Sequence, residues 1–197
     1  TSPPAPRRPS TGTRFCCVSR PPSSHTDAPG SPAGESYRNV RTSLLFTMRA
    51  AKLRCLLVTS AIAGEGKTTT SVNLAGAFGR MGRKVVLVDA DMRRPRVHRV
   101  FRLPPSPGLS EILQGRARVE DAVTRPHGME FDMIPAGSVP ENPSELLAST
   151  AFAQLIADLR NEYDLIMLDS AVLLSVPDAL LLAADADGTL LVSKPGS

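Results

Sequence analysis

The chain has 197 residues and a net charge of +4, with 42% hydrophobic and 21% charged side chains. That is ordinary globular usage with room for one buried core, which excludes fibrous and wholly disordered chains. No apolar run reaches the roughly 18 residues that cross a bilayer, and no leader pattern opens the chain, so an integral membrane protein is not expected. Three cysteines and three histidines are scattered, which excludes a disulfide framework and a zinc cage. The first residue is Thr1 rather than Met, so a fragment or a processed product is expected.

Residues 1–34 hold 8 Pro, 10 Ser or Thr, four Arg and one Asp, while the remainder holds 19 basic and 18 acidic residues. The net positive charge therefore lies mostly in this stretch and is only weak evidence for nucleic acid binding. Such a composition does not bury enough apolar surface to offset ordering, so 1–34 is expected to be a disordered tail or linker. It would suit a tether between a membrane segment and a domain.

The folded part begins at Glu35. Tyr37, Val40, Leu44, Leu45 and Met48 recur at helical spacing, which predicts an amphipathic helix over 35–50. The apolar run 55–59 predicts a buried strand, followed by a Gly-containing loop and a helix over 67–80. A second buried strand is expected over 84–89. The Pro-rich stretch 102–108 reads as loop, with short helices at 109–114 and 119–123. A short strand at 131–134 follows, then a helix over 149–161, a strand at 165–169, a helix at 177–184 and a last strand at 188–192. Strands that alternate with helices and read as continuous apolar runs predict a mainly parallel sheet covered by helices on both faces, an α/β fold. Ligands in such folds sit at the carboxyl ends of strands.

Three polar features fall there. Residues 60–68 read Ser-Ala-Ile-Ala-Gly-Glu-Gly-Lys-Thr, close to the phosphate-loop pattern G-x-x-x-x-G-K-[ST] with Ala61 in the first Gly position. Gly64 and Gly66 let backbone amides turn inward, and those amides with the next helix N-terminus form an anion site. Lys67 reaches phosphates and the Thr68 hydroxyl suits Mg²⁺. The strand 85–88 leads into Asp89-Ala90-Asp91-Met92-Arg93, and the strand 165–168 ends at Asp169. Carboxylates beside a metal nucleotide hold metal-bound water or take a proton from an attacking hydroxyl.

The phosphate loop, the D-x-D-x-R run at 89–93 and the acidic strand end Asp169 together resemble the bacterial tyrosine kinases, P-loop proteins of capsule and exopolysaccharide export. Glu35, Arg38 and Arg41 match that family's E-x-x-R-x-x-R helix. Gly108–Leu113, Asn142–Leu147 and Pro177-Asp178-Ala179 match further family segments. The resemblance covers about 35–197 and implies a P-loop NTPase fold lacking the C-terminal part of the kinase domain. It implies that Gly64, Glu65, Gly66, Lys67, Thr68 and Thr69 hold ATP. Thr68, Asp89 and Asp169 would hold Mg²⁺, and Lys67, Asp89 and Asp91 would serve transfer of the γ-phosphoryl group to a tyrosine hydroxyl. Glu35, Arg38 and Arg41 would join subunits into a homo-oligomeric ring. The implied partners are a transmembrane chain-length regulator, separate or fused upstream, and tyrosine-containing protein substrates, with no nucleic acid. The implied place is the cytoplasmic face of the cell membrane.

Two features depart from the family. Asp169-Ser170-Ala171-Val172 stands where the family has D-[TS]-P-[PA], and only Tyr37 and Tyr163 are present in place of a tyrosine-rich tail. Both tyrosines read as packing residues, and Arg94, Arg96, Arg99 and Arg102 read as a solvated basic face. Two other functions compete: an ATPase switch of the partitioning or septum-site kind, and a non-catalytic nucleotide-binding regulator of polysaccharide export. The former proteins carry an extra lysine where this chain has Ile62.

Overall fold

The computed structural model describes residues 15–19 and 32–194. Six strands, β1 (Phe15–Ser19), β2 (Cys55–Ser60), β3 (Val85–Asp89), β4 (Asp132–Ile134), β5 (Leu165–Asp169) and β6 (Gly188–Ser193), form one sheet in the order β1-β6-β2-β5-β3-β4. Every neighbouring pair is parallel. Eight helices connect them: α1 (Pro32–Ala51), α2 (Lys67–Gly79), α3 (Val97–Val100), α4 (Leu109–Leu113), α5 (Val119–Ala122), α6 (Pro143–Leu147), α7 (Thr150–Glu162) and α8 (Asp178–Asp185).

The strand runs are apolar throughout because both sheet faces are covered. Leu57, Val86, Val88, Ile166 and Leu168 face one side, against Phe152, Leu155 and Leu159 of α7 and Leu109 of α4. Leu56, Val58, Val85, Leu87, Leu165 and Met167 alternate to the other, against Tyr37, Leu44 and Met48 of α1 and Val72 and Phe78 of α2. Each fully buried side chain of this size contributes about 1.5–3 kcal/mol. That burial, rather than propensity, holds α2. Its sequence Lys-Thr-Thr-Thr-Ser-Val-Asn-Leu-Ala-Gly-Ala-Phe-Gly is a poor helix former, yet Thr70 to Gly79 are all buried. Gly79 is required by space, since a Cβ there would lie 2.0 Å from the Glu130 carbonyl oxygen.

The expected strands and longer helices are present, with ends moved by at most three residues. Three elements were not expected. Helices α3 and α6 span four and five residues, too short for a 3.6-residue period to show. Strand β1 lies inside the stretch 1–34 read as disordered or linker, and it pairs with β6 from Phe15↔Thr189 to Ser19↔Ser193. The expectation fails for these five residues. Phe-Cys-Cys-Val is a short β-forming run within the Pro-rich composition, and the edge of β6 offers it unpaired backbone groups. The rest of 1–31 lies outside the described residues. No helix among the described residues is long and apolar enough to cross a membrane.

Candidate active site

The loop between β2 and α2 turns through Gly64 at φ 87° and Gly66 at φ 95°, a left-handed region that glycine enters without steric cost. Gly66 is the residue before α2. The first amides of that helix lack intrahelical partners and carry its positive dipole end, so this end suits phosphate. Glu65 is 3% exposed. Its carboxylate accepts from the Ile62 amide at 3.0 Å and the Lys194 amide at 3.3 Å. The side chain braces the loop from within, which leaves the main chain of Glu65 for any nucleotide contact. Thr69 is half-buried in the first turn of α2, where its carbonyl accepts from Asn73 Nδ2 at 2.9 Å.

Strand order brings the acidic ends to this loop. Strand β5 lies between β2 and β3, with Val58↔Asp169 on one side and Asp89↔Asp169 on the other. Thr68 Oγ1 donates to Asp169 Oδ2 at 2.7 Å, and Lys67 Nζ donates to Asp91 Oδ2 at 3.0 Å. Ser71 Oγ donates to Asp169 Oδ1 at 3.0 Å. Ser71 was not singled out in the sequence, although its place four residues beyond Lys67 puts it on the same helical face. The three acidic residues differ in what they hold. Asp89 Oδ2 accepts from the Arg96 and Val97 amides at 3.1 and 3.0 Å, and Oδ1 from the Asp91 amide at 3.3 Å. Asp89 thus shapes the turn that presents Asp91.

Three carboxylates share one lysine in a buried place. Burial, then the neighbouring Asp169 carboxylate, push Asp89 up to about 8. Burial raises Asp169 as well, against the pull of Lys67, Thr68 and Ser71. Burial works against the Lys67 ammonium, but the Asp169 and Asp91 carboxylates outweigh it and raise its pKa. A divalent cation would relieve this surplus of buried carboxylate. Among the described residues no three His, Cys, Asp or Glu side chains form a self-sufficient metal cage. Mg²⁺ bound with phosphates needs only one or two carboxylates and keeps its waters, so the donor set fits it.

The other singled-out residues lie apart from this cluster. On α1, Arg38 pairs with Glu35 of its own helix, and Arg41 Nη1 donates to the Ala77 carbonyl of α2 at 3.4 Å. Both tyrosines are buried, Tyr37 at 2% and Tyr163 at 8% exposure, and Tyr163 OH donates to Asp132 Oδ2 at 3.1 Å. Arg94, Arg96, Arg99 and Arg102 are exposed.

A family model described as an AAA domain matches residues 54–195. The chain is 38% identical over 168 residues to tyrosine-protein kinase YwqD of Bacillus subtilis (strain 168), covering 85% of this chain and 71% of that protein. It is 36% identical over 169 residues to a Klebsiella pneumoniae protein named as a tyrosine-protein kinase in the cps region, covering 86% of this chain but only 23% of that protein. Its structure is similar to the kinase domain of Escherichia coli tyrosine kinase ETK, with TM-score 0.81 and 36% identity over 83% of this chain and 64% of the other. The septum-site protein MinD of Pyrococcus horikoshii OT3 is less similar, with TM-score 0.61 and 28% identity over 71% of this chain and 57% of the other. That ranking disfavours the switch-ATPase alternative. The phosphate loop joined to two acidic strand ends, with coverage of most of YwqD, leads to one conclusion: the chain belongs to the bacterial tyrosine kinase family of P-loop proteins.

Proposed function

We propose that this chain acts as an ATP-dependent protein tyrosine kinase that regulates capsule or exopolysaccharide synthesis and export. The observation that carries the reading is the junction of Lys67 with Asp91 and of Thr68 with Asp169, set over the N-terminus of α2. The name of the Klebsiella relative supports the capsule assignment.

In this mechanism the loop amides of 64–69 and the α2 N-terminus hold the ATP phosphates. Lys67 leaves Asp91 for the phosphate oxygens, which frees Asp91 to accept the proton of a tyrosine hydroxyl. Thr68 would supply an oxygen ligand for Mg²⁺, and Asp169 and Asp89 would hold it through water. Both Asp169 oxygens and Asp89 Oδ1 accept one bond each and keep a second lone pair for that purpose, whereas Asp89 Oδ2 is filled by the Arg96 and Val97 amides. The cation held there would supply positive charge against the charge that develops on the phosphates. Neither buried tyrosine of this chain is an acceptor in the folded state, so the acceptor hydroxyl comes from another polypeptide segment.

The partners in this reading are a transmembrane chain-length regulator and further copies of the chain in a ring, at the cytoplasmic face of the membrane. The kinase domain in this reading takes in 35–197, and β1 extends its sheet beyond β6. Glu35 and Arg38 are exposed enough to re-pair across a subunit boundary. Arg41 would first have to leave the Ala77 carbonyl. One observation keeps a second reading, a non-catalytic nucleotide-binding regulator: Ala171-Val172 replace the family prolines beside the metal site.

The test is incubation with Mg²⁺-ATP, a tyrosine-containing copolymer and the cytoplasmic segment of the regulator, with phosphotyrosine mapped by mass spectrometry. Phosphotyrosine that vanishes in Lys67→Met supports the kinase. Nucleotide binding without any phosphotyrosine supports the regulator.

A further inference from the structure

Three sequence segments have no part in the chemistry above: the arginine that ends Asp89–Arg93, the run Asn142–Leu147, and Pro177-Asp178-Ala179. The fold brings them together. Arg93 Nε donates to Asp178 Oδ2 at 2.8 Å, and its Nη2 donates to Asp178 Oδ1 at 3.2 Å. The same Nη2 donates to Ser144 Oγ at 2.8 Å, and that hydroxyl donates to Asp178 Oδ1 at 2.6 Å. The three side chains close a ring. The Asp178 side chain is 0% exposed and that of Arg93 is 38% exposed.

The places of these residues matter more than their number. Arg93 follows Asp91 by two residues, in the turn after β3. Asp178 opens α8, which continues the loop that leaves Asp169 at the end of β5. Ser144 lies in the first turn of α6. The ring therefore ties together the two loops that carry the site's carboxylates. On its other side the Asp91 turn is fastened by Asp89, which accepts from the Asp91, Arg96 and Val97 amides. Asp178 sits in the first turn of a helix, where a carboxylate is favoured without any arginine. A two-pronged guanidinium adds direction to that favourable charge, which a lysine would not.

We propose that Arg93, locked by Asp178 and Ser144, is a positioning residue that holds the Asp91 turn so that Asp91 faces Lys67 and a Mg²⁺-bound nucleotide. This rests on the nucleotide-binding reading above. Arg93 touches neither reacting atom; it acts through the turn.

The test compares wild type, Arg93→Gln, Ser144→Ala, Asp91→Asn and the Arg93→Gln/Asp91→Asn double variant. Amide hydrogen exchange is followed without nucleotide, and ADP affinity is measured by calorimetry with and without Mg²⁺. Arg93→Gln is expected to speed exchange in 91–97 by about tenfold, the loss of a charge-assisted bond, with β2 and β5 unchanged. It should weaken ADP about tenfold with Mg²⁺ and less than about twofold without it. In the Asp91→Asn background it should cost nothing further, because the residue being positioned is gone. Ser144→Ala should give the same pattern at about two- to threefold, and it decides the question by both readouts if Arg93→Gln does not fold. Unchanged exchange in 91–97, equal losses with and without Mg²⁺, or losses that add to Asp91→Asn would each overturn the proposal. A wild-type chain that binds no ADP would sink the kinase reading, while the exchange data would still decide this one.

Discussion

The two rims of the sheet use the same side-chain types to opposite ends. At the amino end of the strands, Asp187 receives Arg160 Nη1 and Nη2 at 2.8 Å each, and the Arg54 and Cys55 amides at 2.7 and 2.8 Å. Arg54 Nη2 in turn donates to the Arg160 and Tyr163 carbonyls at 2.5 and 2.6 Å. Burial opposes the Asp187 charge, but Arg160 and the two amides outweigh it and lower its pKa. At the carboxyl end, three carboxylates meet one lysine, and burial raises both Asp89 and Asp169. A satisfied charge cluster supports the fold. An unbalanced buried one stores a preference for a ligand of the missing sign.

Asp169→Asn removes one of the unbalanced carboxylates. Phosphoryl transfer should fall by about 100-fold or more, while the thermal midpoint without nucleotide stays level or rises, because a buried charge has gone. A large drop in that midpoint would make Asp169 a structural residue like Asp187. The converse change, Arg160→Ala, should destabilise the chain by about 1.5–3 kcal/mol in urea unfolding, the range for hydrogen bonds to a charged group. Its Mg²⁺-nucleotide affinity should equal that of wild type.

A satisfied carboxylate beside the segment that follows β4 extends the contrast to pH. Glu111 accepts from the Gly108 amide at 2.9 Å and the Ser138 amide at 3.1 Å. Burial works against its charge, but the bonds from Ser138 and Gly108 outweigh it and lower its pKa from 4.5 to about 2. The folded state binds this proton less readily than the unfolded state, so the stabilisation is full above about pH 4.5 and is lost as pH falls to about 2. Glu111→Gln should therefore flatten the stability profile between those limits, read by circular dichroism. An identical acid limb would remove Glu111 from the account. The smallest expected effect is at Ala171, which is 4% exposed and whose carbonyl accepts from Thr59 Oγ1 at 3.1 Å. Ala171→Pro should raise the transfer rate about two- to fivefold by restricting the loop. An unchanged or lower rate counts against a role for the missing proline.

Much of this was legible before the fold. The buried strands announced themselves as apolar runs, and Gly64, Gly66, Lys67 and Thr68 as a loop between a strand and a helix. What escaped were short or composite features. Helix α3 has too few residues to show a period, and β1 hides in a Pro-rich stretch. Ser71 carries a common side chain whose role appears only once Asp169 lies beside it. Arg93, Ser144 and Asp178 looked like three separate matches to a family pattern, because 85 residues separate the first from the last.

The phosphate loop, the acidic strand ends and the α/β alternation follow from local order in the chain, since each depends on neighbours within one turn or one strand. Packing of distant segments is what sets Lys67 on Asp91, joins Thr68 and Ser71 at Asp169, and neutralises Asp187 with Arg160. The Lys67, Thr68 and Ser71 outcomes depend on placing β5 between β2 and β3, and that of Asp187 on placing β6 beside β2. Hydrogen bonds act over about 3 Å, so which distant carboxylate a donor finds is a property of strand order and register.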